Sequence, residues 1–207
     1  MGTKPVRKLA LHATAVVLLA SACSGGDGGL DGHVRAVRFA NEKAGWAVGD
    51  DGLVMHTPDA GKTWTRQSSG VTSALRALAV ARTPGGNFVG VAAGDGGALV
   101  RTNDGSVWSR VDVAISETLR SAEVNANGTL FLVAGDAGTL LRSEDAGDSW
   151  TSVVVGSANV TEIKLDASGD VATAIDDAGA VWESRDRARH FERVHGPDGT
   201  LAQNLEF

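Results

Sequence analysis

A single cysteine, Cys23, stands in 207 residues, so no disulfide can form within the chain. Tyrosine is absent and aromatic residues make up only 5%, which leaves glycine and alanine to carry much of the close packing. The apolar run Leu9–Ala20 is too short to span a bilayer as a permanent helix. Beyond it no stretch of normal helix length carries a 3.6-residue apolar stripe, and Leu30–Phe39 reads as entry into a first strand. Nineteen basic residues against 25 acidic ones give a formal charge of −6, which makes a poor general binder of nucleic acid or anionic lipid. His12, His33, His56, His190 and His195 show no metal-ligand spacing. Gly94-Asp95-Gly96-Gly97 lacks the lysine and following helix of a phosphate loop. No metal or cofactor is therefore expected. The 43% of hydrophobic residues still suffices to bury a core.

What the chain does have is a repeat. Aligned on the glycine after an acidic turn, four copies fall at Gly52, Gly97, Gly138 and Gly179, in steps of 45, 41 and 41 residues. Five residues beyond each glycine stands a hydroxyl residue (Thr57, Thr102, Ser143, Ser184), and seven beyond stands an aspartate (Asp59, Asp104, Asp145, Asp186). An aromatic closes each copy: Trp64, Trp108, Trp150 and Phe191. The hydroxyl and carboxylate can accept backbone N–H groups inside a tight turn, and Gly61 and Gly147 suit a backbone with positive φ. The closing aromatic re-enters a sheet, where truncation should cost about 3–5 kcal/mol. These are framework positions. The second copy is one residue short, and the fourth has neither the glycine nor the tryptophan and reads as a decayed version.

Apolar runs such as Gly45-Trp46-Ala47-Val48 fit short strands, and Gly-Asp-x-Gly supplies hairpin turns. A period near 42 with about four strands per unit is the signature of β-propeller blades, because one small sheet cannot bury both faces without neighbours. The segments Thr57–Trp64 and Ser143–Trp150 resemble the Asp-box, or bacterial neuraminidase, repeat. The wider phrase from Gly45 through Gly49-Asp50-x-Gly52 to Trp64 resembles the photosystem II stability and assembly factor family. That resemblance covers residues 34–207 and implies an all-β propeller.

The expected organisation is a signal peptide over 1–22, lipidated Cys23 with a glycine-rich tether over 23–33, and blades at about 34–73, 74–116, 117–158 and 159–199. Lys4, Arg7 and Lys8 precede the apolar run, and Cys23 follows small residues at the cleavage point, which resembles a bacterial lipoprotein signal; an ordinary secretory cleavage site is the alternative. Loss of those three cations with the signal would move the formal charge from −6 to −9. An opening strand recurs at Val34–Phe39, Leu75–Val80, Leu119–Val124 and Val160–Leu165, and a fifth at Ala202–Phe207 begins a partial blade over 200–207. Family members commonly have seven blades, so the expectation is either a truncated product or a four-blade ring with the last strand as a clasp.

Asp-box repeats also occur in sialidases, whose chemistry uses a tyrosine nucleophile that this chain lacks. Paired acids such as Asp50-Asp51 and Asp176-Asp177 fit turn chemistry better than a glycosidase dyad. No catalytic residue is expected. One polar position recurs outside the boxes: Arg35, Arg76 and Arg120 each lie four residues before the end of their opening strand, with Thr161 and Gln203 in the later units. Equivalent blade positions form a ring about the axis, so three guanidinium groups could gather at one mouth and suit a carboxylate-bearing partner. The alternative is pairing with a nearby acid such as Glu123, or solvent. The resemblance implies a non-enzymatic, lipid-anchored scaffold or assembly factor of the bacterial cell envelope, with a membrane-complex subunit as protein partner. A carbohydrate-binding or degraded glycosidase-like propeller is the alternative.

Overall fold

The computed structural model describes residues 33–196. The apolar leader, Cys23, the tether and the expected fifth opening strand lie outside them. Four antiparallel sheets follow one another along the described chain. The first contains β1 (Val34–Phe39), β2 (Gly45–Gly49), β3 (Val54–Thr57) and β4 (Thr65–Gln67); the second contains β5 (Leu75–Arg82), β6 (Phe88–Gly94), β7 (Leu99–Thr102) and β8 (Ser109–Arg110). The third contains β9 (Leu119–Val124), β10 (Phe131–Gly135), β11 (Thr139–Ser143) and β12 (Thr151–Val154); the fourth contains β13 (Val160–Leu165), β14 (Ala172–Asp176), β15 (Val181–Ser184) and β16 (Glu192–His195). In each sheet the strands lie in chain order, from an innermost opening strand to an outer edge.

The sheets stack face to face, as the period demands. Trp46, Val48 and Val54 of the first pack with Leu75, Leu78, Val100 and Trp108 of the second. Ala79, Val91 and Leu99 meet Leu119, Phe131 and Leu141 between the second and third. Leu130, Leu132 and Leu140 meet Val160, Ile163 and Ala174 between the third and fourth. Burying one of these large side chains stabilises the fold by about 1.5–3 kcal/mol, so each interface contributes mainly through apolar area. The inner strands pack in succession, β1 on β5, β5 on β9 and β9 on β13, and no comparable packing joins β13 to β1 among the described residues. The four blades form an arc of a propeller.

Every opening strand carries a β-bulge near its start. Val34 pairs with Gly49 and Ala36 with Val48, leaving Arg35 as the extra residue. The same shift isolates Arg76, Arg120 and Thr161. In the first three blades the residue opposite the bulge is glycine, where a Cβ on Gly49, Gly94 or Gly135 would lie 1.8–2.0 Å from the carbonyl oxygen of His33, Ala74 or Thr118; the fourth blade has Asp176 there. That closeness also lets the following aspartate N–H donate to the same carbonyl, as Asp50 does to His33 at 3.0 Å.

Candidate functional site

Each blade has two worked ends, and the Asp-box occupies one of them. Thr57 Oγ1 donates to Asp59 Oδ1 (2.9 Å) while accepting the Gly61 N–H (2.8 Å). Asp59 in turn accepts the Thr63 N–H and hydroxyl, each at 2.8 Å. Ser143, Asp145, Gly147 and Ser149 repeat the arrangement. The shorter second copy keeps it as well: Asp104 accepts the N–H groups of Ser106 and Val107, and Gly105 donates to Thr102. These donors hold the Asp59, Asp104 and Asp145 carboxyls below the ordinary range, Asp145 at about 2. Every donor comes from the same loop, so each carboxylate closes its own turn.

The fourth box is not decayed in structure, which corrects the reading from its residues. Ser184 Oγ donates to Asp186 (2.8 Å), Ala188 N–H donates to Ser184 (3.0 Å), and His190 takes the place of Ser149 with Nδ1 at 2.5 Å from Asp186. Ala188 adopts the left-handed φ of +59° where Gly147 has +87°. Phe191 packs with the interface of blades three and four, as a closing aromatic should.

The arginines lie at the opposite end, beside the β2–β3 type of turn. Arg35 pairs with Asp50, Arg76 with Asp95 and Arg120 with Asp136, each acid being the first turn residue of the same blade. Glu123 is not their partner; it accepts from Lys164 instead. Arg76 uses Nε and Nη2 on Asp95, the latter at 2.9 Å, and Arg120 does the same on Asp136 at 3.2 Å. No hydrogen bond among the described residues uses Nη1 of Arg35, Arg76 or Arg120, and the three side chains remain 33–40% exposed. Hydrogen bonding to the partner acid raises the Arg76 and Arg120 pKa values. Asp95 is lowered first by Arg76 and then, against the opposing effect of burial, by the charges of Arg76, Arg35 and Arg120. The three pairs lie at the same end of the adjacent inner strands β1, β5 and β9, a mouth where each guanidinium is oriented by its acid and keeps a free edge.

The fourth blade breaks the pattern. Thr161 fills the bulge and turns its hydroxyl back to the Ile175 carbonyl at 3.1 Å. Asp177 occupies the place of Asp50, Asp95 and Asp136, but Asn159 is its partner, through Nδ2 at 2.7 Å and N–H at 3.2 Å. Asn159 also accepts the Ala137 N–H of the preceding blade at 3.0 Å. Sequence reading allowed the arginines a nearby acid but named Glu123 and treated the turn acids as turn residues, although an acid at every such turn was the available signal. Among the described residues no group of three His, Cys, Asp or Glu side chains gathers as a metal site.

Stacked four-stranded blades with four formed Asp-boxes define an Asp-box β-propeller. Within that class the chain belongs to the family described as photosynthesis system II assembly factor YCF48, whose sequence pattern matches residues 77–204. Among solved structures it is similar to YCF48 bound to a D1 peptide, with 21% identity and a TM-score of 0.60, over 80% of this chain and 53% of that one. YCF48 from Cyanidioschyzon merolae is similar at 16% identity and a TM-score of 0.60, over 79% and 56%. An ancestral GH74 enzyme gives 20% identity and a TM-score of 0.67, over 81% of this chain and 24% of that one. The chain thus spans about half the length of the YCF48 structures. At these identities the likeness is one of fold. No curated protein matches the chain.

Proposed function

We propose that the protein is a non-enzymatic scaffold or assembly factor whose arginine-bearing mouth binds a carboxylate-rich segment of a membrane-complex subunit. The observation that carries this reading is the triplet Arg35, Arg76 and Arg120, each held by its own aspartate with Nη1 unused. A guanidinium gripped along its Nε/Nη2 edge loses little further freedom when a second carboxylate approaches the other edge. The YCF48 structure bound to a D1 peptide supports a protein segment as the class of partner. The apolar leader, its flanking cations and Cys23 support export and lipid anchoring at the cell envelope. The likeness to GH74 enzymes extends to fold alone and gives the carbohydrate reading nothing specific to rest on.

Calorimetric titration with an acetylated, amidated oligoglutamate peptide tests the reading. The wild-type protein should bind in a salt-dependent way, and the combined Arg35→Gln, Arg76→Gln and Arg120→Gln variant should bind about tenfold more weakly. Equal binding by the two proteins would reject the arginine mouth as the site.

A further inference from the structure

Charge is not evenly distributed around that mouth. In the first three blades the first turn aspartate pairs with the arginine of the bulge, whereas in the fourth the arginine position is Thr161 and Asp177 is held by Asn159, a neutral donor. The same turn also gains an acid, because Asp176 stands where the other blades have Gly49, Gly94 and Gly135. Its buried carboxylate accepts the Ala180 N–H at 2.8 Å and the Trp182 indole N–H at 2.9 Å, again neutral donors. The one lysine of the fourth blade among the described residues, Lys164, is engaged by Glu123 at 2.9 Å and Glu162 at 3.2 Å. Asp177 still belongs to the mouth, since its partner Asn159 also accepts the N–H of Ala137, the residue that follows Asp136 in the neighbouring blade.

Resting on the arginine-mouth reading above, we infer that the mouth selects a dipolar peptide segment, with carboxylates on the Arg35–Arg76–Arg120 side and a basic side chain at Asp177. The physical ground is that Asp177 has its lone pairs oriented by Asn159 but no salt-bridge partner among the described residues, while Asp50, Asp95 and Asp136 each have an arginine. A cation placed there gains a fixed partner without breaking an ion pair. A purely acidic segment would meet Asp177 with like charge, which disfavours it.

Two acetylated and amidated peptides test this: a glutamate run, a glycine spacer and a lysine run, against the same glutamates and spacer followed by serines. The wild-type protein should prefer the dipolar peptide by about fivefold, the order expected for one exposed charge pair. Asp177→Asn should abolish the preference while leaving binding of the glutamate–serine peptide intact or stronger. Equal binding of the two peptides by the wild type overturns the inference, and that comparison needs no variant. Arginine-dependent binding of both peptides with no preference removes the polarity alone. Failure of both peptides to bind rejects the arginine reading and this inference with it.

Discussion

Trp46 in the first blade donates its indole N–H to the carbonyl of Gly105 in the second, 2.9 Å away and buried. Gln67 donates to the same carbonyl at 3.0 Å and accepts from the Trp108 indole at 2.8 Å. Each later Asp-box loop is latched in a related way by the blade before it: Arg101 pairs with Asp148, and Arg142 donates to the Arg187 carbonyl at 2.6 Å. The box thus does more than close its own turn. It presents groups to the preceding sheet and fixes how the blades stack.

Trp46→Phe should cost about 1 kcal/mol, because it removes one buried hydrogen bond whose acceptor keeps Gln67. Trp46→Ala adds the loss of a side chain only 1% exposed and should cost about 3–5 kcal/mol. Urea denaturation of the two variants measures the difference. Equal losses would show that the indole N–H matters more than its packing.

Glu144 gathers Arg142, Arg187 and Arg189, and these cations hold its pKa down, Arg142 most strongly. Arg142 is 7% exposed, so Glu144→Gln leaves a buried cation without its counter-charge. Because Glu144 itself is partly open to solvent, the expected loss is about 1–3 kcal/mol rather than the full buried-pair value. Thermal unfolding of the variant checks it, and a gain in stability would mean that the cluster is held against its own desolvation.

Asp145 links stability to acidity. Its folded pKa, about 2, lies below the ordinary aspartate value, chiefly because Ser149 donates through its hydroxyl and its N–H. A depressed carboxyl contributes fully above its unfolded pKa of about 3.9 and loses that contribution as pH falls toward the folded value. The stability gap between wild type and Asp145→Asn should therefore be constant near neutral pH and narrow from about pH 4 to about pH 2. A gap independent of pH over that range would remove the ionised carboxylate from the account.

The blades were legible because the boxes repeat turn chemistry that tolerates few residue types: a hydroxyl, an aspartate and a left-handed position. Reading by residue type also misled at the fourth box, where Ala188 accepts the left-handed backbone and Phe191 fills the tryptophan's place. The arginine–aspartate pairs could not be read from spacing. Arg35 and Asp50, Arg76 and Asp95, and Arg120 and Asp136 are separated by 15, 19 and 16 residues, since the hairpin turns between paired strands differ in length. Only the strand register, with its bulge at each arginine, brings the partners together. The fourth blade's exception needed the same register, because Asn159 meets Asp177 through the start of β13 and not through any recurring motif.

A photo-crosslinking residue placed at Asp51, beside the arginine mouth, or at Lys62, in the Asp-box at the opposite end of the same blade, tests the central claim most directly. With the oligoglutamate peptide as ligand, adducts should form from position 51 and disappear when Arg35, Arg76 and Arg120 are replaced by glutamine, with little product from position 62. Adducts that form mainly from position 62, and persist in the glutamine variant, would place recognition on the Asp-box end and contradict the account.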